Sequence, residues 1–295
     1  MGRERFAPAK VNLFLHVGAP APGGYHPISS LVAFADVGDV VRLRPAPQLG
    51  FCVEGRFAAG LGADADNLVI RARDMVLAGC PDPAPAFHLA LEKRLPIASG
   101  LGGGSSDAAA TLRLVADELA RQGRGGGALA AMAARLGADV PMCLEARPAI
   151  ASGRGDVLAP PPGFPDLDAV LVNPLVASPT AAVYGAYDAA GAPGAAEPPP
   201  WPQRLNDAGA VAGFLACCRN DLEAPAIALQ PAIAEVLAAL RAQPQALLAR
   251  MSGSGATCFA LCAGAPEREA LAQALSAQRP DWWVQPCRLA GVAEG

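Results

Sequence analysis

The sequence predicts an α+β fold in two lobes. Segments with strand and helix periodicity interleave along its 295 residues, but without the regular βαβ alternation of a doubly wound sheet. Hydrophobic residues make up 52% of the chain, which is ample for a large core. A Gly- and Pro-rich stretch at residues 153–164 is the best candidate for a boundary. We therefore expect an N-terminal domain at 1–155 and a C-terminal domain at 156–295.

The first half of the chain begins with an alternating segment, KVNLFLHV, that predicts a strand. One face of this strand is apolar and the other begins with Lys10 and Asn12. Turns are predicted next, over residues 19–30, and then one or two strands broken at Gly38. A helix follows from an Asp/Asn cap to Gly79, and then a strand that ends at Pro96. Two further helices are predicted, one that starts near Ser105 and one that ends at Gly137.

The second half predicts fewer elements with clear bounds. Residues 185–201 are rich in Ala, Gly and Pro, which indicates a loop or surface excursion. PAIAEVLAALRAQ has helical spacing, RMSGSGATCFALC is typical of a loop that leads into a strand, and EREALAQALSAQ predicts a final helix. No internal repeat is visible.

Composition excludes several classes of function. The net charge is −4, with 21 arginines, two lysines and no basic block, which argues against a nucleic-acid partner. The eight cysteines form no C-x-x-C pair and the three histidines no H-E-x-x-H, so buried thiols in a reducing cytosol are expected. We find no apolar signal region at the N-terminus and no uncharged run that could span a bilayer, and we expect a cytoplasmic protein.

The stretch LPIASGLGGGSSDAAATL carries the strongest functional signal. Four glycines lie within five positions, Gly100 to Gly104, between a predicted strand and a predicted helix, and two serines follow. The first amides of a helix have no partner inside it, and glycines let such amides close around an anion. The pattern therefore indicates phosphate binding. The alternative, a tight turn alone, needs only one or two glycines.

Two standard nucleotide motifs do not fit this loop. A Walker-type P-loop needs a lysine after glycine, and neither Lys10 nor Lys93 follows one. The dinucleotide fingerprint G-x-G-x-x-G fails because Ser105 occupies the position of the third glycine.

PIASGLGGGSSDAAATL resembles the phosphate-binding signature of the GHMP kinases. PAKVNLFLHV, GGYHPISSLVAFADVGD, DNLVIRA, LGADVPMCL and RMSGSGATCFAL stand in the order and approximate spacing of one branch, which phosphorylates the 2-hydroxyl of a cytidine diphosphate methylerythritol in the non-mevalonate isoprenoid pathway. The resemblance runs from Pro8 to about Leu261. It implies a two-lobed kinase with an N-terminal lobe like domain 2 of ribosomal protein S5 and a ferredoxin-like C-terminal lobe, using ATP and Mg²⁺.

The resemblance also implies roles for individual residues. Lys10 and Asp139 match the catalytic pair: the lysine neutralises the transferring phosphoryl group and the aspartate accepts the hydroxyl proton. Alone, Lys10 could be a surface lysine and Asp139 a helix cap. The resemblance assigns ATP binding to Asn67, Leu68, Lys93, Pro96, Ile97, Ala98, Ser99, Gly100, Leu101, Gly102, Gly103, Gly104, Ser105, Ser106, Gly253 and Ser254. Ser106 is also a candidate Mg²⁺ ligand.

On the acceptor side, the resemblance places Tyr25 and His26 at the cytosine. Tyr184 closes the other side with Thr180 nearby, and Asn12 holds the methylerythritol end together with the catalytic aspartate. The expected partner is thus a small-molecule substrate, and neither a nucleic acid nor a membrane is expected to bind. The chain is expected to be a monomer or a weak homodimer. Arg154 departs from the pattern, because a small apolar residue is expected there.

Three rival functions remain open at this point. A GHMP kinase for another small alcohol, such as homoserine or mevalonate, would keep the glycine loop but would not need an aromatic cytosine site. A catalytically inactive, nucleotide-binding member would be expected to have lost Lys10 or Asp139. A ribosomal-type RNA-binding protein is disfavoured by the acidic balance.

Overall fold

The computed structural model describes residues 2–62, 66–80, 85–124, 127–191, 194, 196–197 and 200–290. Within these residues the strands are β1 (Arg3–Val17), β2 (Ile28–Pro45), β3 (Gly50–Glu54), β4 (Phe87–Glu92), β5 (Ala149–Gly153), β6 (Val157–Ala159), β7 (Leu167–Asn173), β8 (Ala246–Met251), β9 (Cys258–Cys262) and β10 (Trp283–Ala290).

The helices are α1 (Leu68–Leu77), α2 (Gly103–Arg121), α3 (Leu129–Leu136), α4 (Val140–Glu145), α5 (Thr180–Ala189), α6 (Ala208–Ala216), α7 (Glu223–Leu229), α8 (Ala232–Arg241) and α9 (Ala265–Gln278). Over the residues described, no helix is both long enough and apolar enough to cross a membrane. The mixture of strands and helices is that of an α+β protein.

The chain forms two compact units that are not consecutive halves. The first comprises Met1–Ala9, Gly38–Pro96 and Gly102–Ala146, and the second comprises Lys10–Val37, Ile97–Leu101 and Arg147–Gly295. The expected division at residue 155 is therefore corrected. The physical reason is that the long strands β1 and β2 each contribute residues to both units, so no single cut can separate them.

In the first unit, α2 packs against α1, α3 and α4. Strand β4 pairs with β3 in parallel and with the second part of β2 in antiparallel register, where Val40 lies opposite Glu92. The expected break in β2 at Gly38 does not occur. A Cβ there would lie 2.2 Å from the Ala7 carbonyl oxygen, so the glycine permits close approach of β1 rather than interrupting the strand.

In the second unit, β10, β7, β9 and β8 form an antiparallel sheet in that order. With helices after β7 and after β9, this is the ferredoxin-like strand order 4-1-3-2. Buried residues from β1, β7, α8 and α9 form its core, including Leu15, Val170, Leu237 and Leu271. The first part of β2 pairs with β5, and β5 pairs with β6. The expected loop at 185–201 is partly wrong, because α5 extends to Ala189.

Candidate active site

The glycine-rich loop leads directly into α2. Ala98, Gly100 and Gly102 all have positive φ angles, at 50°, 75° and 62°. Gly102 is the N-cap of the helix, and no side chain makes a capping hydrogen bond. The first amides of α2 are consequently not occupied by a capping side chain and carry the partial positive charge of the helix end. This arrangement is suited to an anion.

The first part of the loop is held by the turn between β8 and β9, in the same unit. The Ser252 hydroxyl donates to the Gly100 carbonyl at 2.9 Å, and the Thr257 amide donates to the Ser99 carbonyl at 3.0 Å. A Cβ at Gly100 would lie 2.3 Å from the Ser252 carbonyl oxygen. The loop backbone thus approaches this turn more closely than any side chain would allow.

The predicted residues Gly253 and Ser254 lie in this turn. A Cβ at Gly253 would lie 3.0 Å from the Gly100 carbonyl oxygen, and the hydroxyls of Ser254 and Thr180 are 2.9 Å apart. A residue that was not predicted, Asn220, fixes this turn. Asn220 donates to the carbonyls of Met251 and Gly253, at 2.9 and 2.8 Å. No motif marks this asparagine in the sequence.

The two serines after the glycines differ in exposure. Ser105 is partly exposed, whereas Ser106 is buried and its hydroxyl donates to the Pro8 carbonyl at 2.7 Å. This hydrogen bond ties the start of α2 to β1 and directs the hydroxyl into the protein. The donated hydrogen bond leaves the lone pairs of the hydroxyl oxygen unused, and the role of Ser106 as a Mg²⁺ ligand stays a prediction.

Lys93, which the resemblance places near the adenosine, has its side chain buried in the protein. Its ammonium is buried, forms an ion pair with Asp39 and donates a hydrogen bond to the Asp107 carboxyl at 3.0 Å. Asp39 also accepts the amides of Arg94 and Leu95, at 2.6 and 2.9 Å. A Cβ at Gly103 would lie 3.2 Å from the Lys93 ammonium. We call Asp39, Lys93 and Asp107 the ionic cluster, which lies beside the first turn of α2.

Burial affects the ionisation of the ionic cluster. Desolvation raises the pKa of Asp107 to about 8, against the lowering influence of Lys93. Desolvation alone would lower the pKa of Lys93, but attraction to Asp107 and Asp39 outweighs it and raises that pKa. The lysine therefore stays charged. Its ammonium joins β2, the end of β4 and α2, and the expected place of Lys93 near the adenosine stays a prediction.

Asn67 and Leu68 lie at the start of α1, in the same unit as the start of α2. The Asn67 side chain caps the helix by accepting the Val69 amide at 3.0 Å, and donates to the Gly62 carbonyl at 3.0 Å. Leu68 Cδ1 lies 3.6 Å from the position that a Cβ would take at Gly104. Leu68 is thus next to the glycines that begin α2, whereas the Asn67 side chain is engaged in capping.

Lys10 and Asn12 lie on β1 and are both buried. The Lys10 amide donates to the Leu101 carbonyl at 2.8 Å, at the end of the loop's first part. The Asn12 amide nitrogen Nδ2 donates to Ser30 Oγ at 2.8 Å, while its Oδ1 is buried and has no hydrogen-bond partner within the described residues. An unsatisfied buried acceptor is costly unless a donor arrives, and a ligand hydroxyl can supply one.

Asp139 occupies the N-cap position of α4, as its place after Gly137 suggests. However, its carboxylate makes no capping hydrogen bond. Only its backbone carbonyl serves the helix, by accepting the Cys143 amide at 3.2 Å. Helix capping therefore does not account for the presence of an aspartate at this position.

Tyr25, His26, Thr180 and Tyr184 all lie in the second unit. Tyr25 is 41% exposed, and the rings of His26 and Tyr184 are 5.2 Å apart. Both nitrogens of His26 are engaged within the protein. Nδ1 lies 2.9 Å from the Gly18 carbonyl, and Nε2 lies 3.1 Å from the Asp188 carboxylate. The imidazole thus packs against Tyr184, and its contact with the cytosine stays a prediction.

Comparisons with known proteins identify the same family over both parts of the chain. The model described as "GHMP kinases N terminal domain" matches residues 67–147, and the model described as "GHMP kinases C terminal" matches residues 204–281. The first match contains the glycine-rich loop and Asp139, and the second contains the turn between β8 and β9 that holds the loop.

Relatives that match over nearly the whole chain identify the branch of the family. The chain is 57% identical over 290 residues to a 4-diphosphocytidyl-2-C-methyl-D-erythritol kinase of Caulobacter vibrioides strain NA1000 / CB15N, covering 98% of this chain and 100% of the relative. It is 49% identical over 292 residues to the protein of that name from Cereibacter sphaeroides strain ATCC 17025, covering 98% and 99%.

Solved structures agree with these relatives. A crystal structure of 4-(cytidine 5'-diphospho)-2C-methyl-D-erythritol kinase matches with a TM-score of 0.75 and 32% identity, over 98% of this chain and 100% of that one. Homoserine kinase from Cytophaga hutchinsonii shares the fold, with a TM-score of 0.68, 19% identity and coverage of 98% and 96%. The expected α+β GHMP kinase fold is confirmed. The chain belongs to the GHMP kinases and, within them, to the family of the 4-diphosphocytidyl-2-C-methyl-D-erythritol kinases.

Proposed function

We propose that this protein transfers the γ-phosphoryl group of ATP to the 2-hydroxyl of 4-diphosphocytidyl-2-C-methyl-D-erythritol. The observation that carries the proposal is the start of α2. A left-handed glycine N-cap leaves the first amides of a 19-residue helix without a side-chain cap, as phosphate binding requires. The full-length relatives that bear the name of this activity supply the identity of the acceptor.

The nucleotide binds through its phosphates at Pro96–Ser106. The amides of Gly103, Gly104 and Ser105 donate to phosphate oxygens, and Leu68 contributes apolar contact beside Gly104. Gly253 and Ser254 support the loop from the β8–β9 turn. The ionic cluster, which contains Lys93, fixes the backbone from which α2 starts.

Mg²⁺ would be held mainly by the phosphates of the nucleotide and by water, with Ser106 as the candidate ligand from this chain. Within the described residues, no group of three or more His, Cys, Asp or Glu side chains could hold a metal ion. Mg²⁺ readily keeps several waters and binds through substrate phosphates with one or two carboxylates. The donor set of the described residues fits that mode. When bound, the ion neutralises phosphate oxygens.

Lys10 and Asp139 act on the reacting groups. Asp139 orients the acceptor hydroxyl and accepts its proton as the new bond from oxygen to the γ-phosphorus forms. The bond between that phosphorus and the bridging oxygen breaks, and ADP leaves with the electron pair. The Lys10 ammonium neutralises the equatorial oxygens of the transferring group. Lys10 is buried on β1 and is therefore positioned more rigidly than a surface lysine.

The acceptor binds to the second unit. Its cytosine lies between the rings of Tyr25 and Tyr184, and His26 holds Tyr184 in place. The unsatisfied Asn12 Oδ1 accepts a hydrogen bond from a hydroxyl of the methylerythritol part. Thr180, whose hydroxyl contacts Ser254, lies at the start of the helix that carries Tyr184.

We further propose that the enzyme works in the cytoplasm, on a freely diffusing substrate, as a monomer or weak homodimer. Neither a membrane nor a nucleic acid takes part. Its acidic balance, with a net charge of −4, is consistent with this assignment.

A phosphotransfer assay with a substrate panel tests the function. Purified protein is incubated with γ-labelled ATP, Mg²⁺ and one acceptor at a time: 4-diphosphocytidyl-2-C-methyl-D-erythritol, mevalonate or homoserine. We expect transfer to the first acceptor only. Transfer to one of the other two, or to none, would refute the proposal. Lys10→Met and Asp139→Asn variants should retain ATP binding and lose about 100-fold or more in kcat.

A further inference from the structure

A short hairpin places an arginine over the ring of Tyr25. Strands β5 and β6 pair through Ser152 and Val157, so residues 153–156 form the connecting turn. The Arg154 guanidinium lies over the Tyr25 ring, 5.1 Å from its centroid. This distance is within the range of a cation–π interaction. Arg154 is also one of the residues at which the resemblance leads us to expect another side chain, a small apolar one.

The turn that presents Arg154 is well defined. Gly153 and Gly155 have φ angles of 68° and 97°, which other residues adopt only with strain. The Asp156 carboxylate accepts the Arg154 amide at 2.9 Å, and the Gly155 amide donates to the Ser152 carbonyl at 3.0 Å. Opposite this turn, Gly153 pairs with Ile28 of β2, two residues after His26. The arginine is thus fixed beside the Tyr25–His26 turn.

The guanidinium of Arg154 keeps its charge available. Throughout the described parts of the chain, no carboxylate lies within 4 Å of it, and Asp156 is engaged with the backbone amide instead. By contrast, Arg279, which stacks on Trp282 at 4.0 Å, is paired with Asp281 and Glu235. An exposed guanidinium without an ion pair retains its donors for a phosphate group.

We propose that Arg154 is a further acceptor-binding residue, which stacks on one face of Tyr25 and binds the diphosphate of the acceptor. The cytosine then stacks on the face of Tyr25 that Arg154 leaves open. This inference rests on the proposed function, because it takes Tyr25 as part of the cytosine site. It adds an electrostatic contribution to acceptor specificity: the arginine favours a nucleoside diphosphate over an uncharged nucleoside or a small alcohol.

Calorimetric binding of cytidine 5'-diphosphate and of cytidine to wild-type protein and to Arg154→Ala tests the inference. We expect the substitution to weaken diphosphate binding by about tenfold and cytidine binding by less than about threefold. The affinity of wild type for the diphosphate should fall between about 50 and 300 mM salt, and that of the variant should fall less steeply. Arg154→Lys should recover part of the diphosphate affinity.

Kinetics separate this inference from the proposed function. If wild type phosphorylates 4-diphosphocytidyl-2-C-methyl-D-erythritol, Arg154→Ala should raise KM for it, with kcat, KM for ATP and the thermal midpoint little changed. Arg279→Ala, which removes another stacked arginine, should change none of these kinetic constants. Equal loss of cytidine and diphosphate binding, or no loss of either, would overturn the role of Arg154. Absence of transfer by wild type would instead refute the proposed function.

Discussion

Gly100 shows how one residue can determine the shape of a ligand-binding loop. Its φ of 75° disfavours other residues, and its α-carbon lies so close to the Ser252 carbonyl that a methyl group has no room. The two effects are separate: the first is backbone strain, and the second is a collision with another segment. They can be measured separately, because the chain offers glycines with the first effect alone.

We predict that Gly100→Ala destabilises the protein by more than about 3 kcal/mol, since backbone strain of about 1–2 kcal/mol adds to the collision. Gly123 is a matched control. Its φ is 71°, and nothing lies within 4 Å of its added Cβ. Gly123→Ala should therefore cost only the strain. Urea unfolding of both variants measures the difference, and equal free energies of unfolding would show that the collision is relieved by small shifts.

His26 illustrates a second effect at the residue scale, in which a polar side chain acts through its neighbours. Its ring nitrogens contact Gly18 and Asp188, and its face packs against Tyr184. A motif can indicate that a histidine belongs to a site. Whether its Nε2 is already hydrogen-bonded within the protein depends on Asp188 of α5, which lies more than 150 residues further along the chain.

We predict that His26→Ala raises KM for the cytidylyl acceptor by about tenfold and leaves KM for ATP nearly unchanged, because Tyr184 loses its support. Asp188→Asn, which keeps a side-chain oxygen near Nε2, should have a smaller effect in the same direction. Steady-state kinetics with each substrate varied in turn checks both variants. A similar rise in both KM values would contradict a role confined to the acceptor.

At the scale of elements, the ionic cluster joins two strands and the helix that starts at the glycines. Asp39 belongs to β2, Lys93 follows β4, and Asp107 lies in α2. All three side chains are buried, and the cluster contains two carboxyl groups but only one ammonium group. Because an excess negative charge is costly in an apolar interior, burial favours the protonated form of Asp107.

This arrangement predicts a pH dependence of stability. The pKa of Asp107 is 3.8 in its ordinary state and is raised to about 8 in the folded protein. Between these values the folded state holds a proton that the unfolded state has lost, so the contribution of Asp107 is fully present below pH 3.8 and is lost as pH rises through 8. The free energy of unfolding of wild type should therefore fall, relative to Asp107→Asn, as pH rises through that window.

Denaturant unfolding of both proteins across this pH range provides the measurement. Taking the difference between them cancels the titration of other groups, such as Glu92, whose pKa is lowered to about 2 by Arg94. Asparagine matches the protonated carboxyl in shape, so the two proteins should be most alike at low pH. A constant difference at every pH would mean that Asp107 is ionised in the folded state.

At the scale of the whole molecule, the sequence predicted elements better than their environment. The helix after the glycines, the strand from Lys10 and the final helix were predicted from periodicity and are confirmed. The helical part of 185–201 was missed because alanine and glycine hide its apolar face, of which only Val183 and Tyr187 are deeply buried. The continuous strand through Gly38 was uncertain because a glycine can mark either a break or a close approach.

The candidate site was predicted unevenly for a related reason. The glycine loop is local in sequence, so its residues carry their own signal. The contacts of Lys93 and Ser106 are not local: Asp39 lies 54 residues before Lys93, and Pro8 lies 98 residues before Ser106. The resemblance assigns both side chains to the ligand, and the structure adds partners within the protein that the sequence does not reveal. Long-range contacts of this kind require the fold.

The protein as a whole provides the last prediction, which concerns the metal. Since no cluster of metal-ligating side chains occurs among the described residues, Mg²⁺ should contribute to turnover but not to folding. Chelation with EDTA should abolish phosphotransfer and leave the thermal midpoint of the nucleotide-free protein unchanged. Adding Mg²⁺ should restore activity, and it should raise the midpoint only when ATP is also present. A midpoint that falls by more than about 3 °C on chelation alone would indicate a metal held by the protein itself.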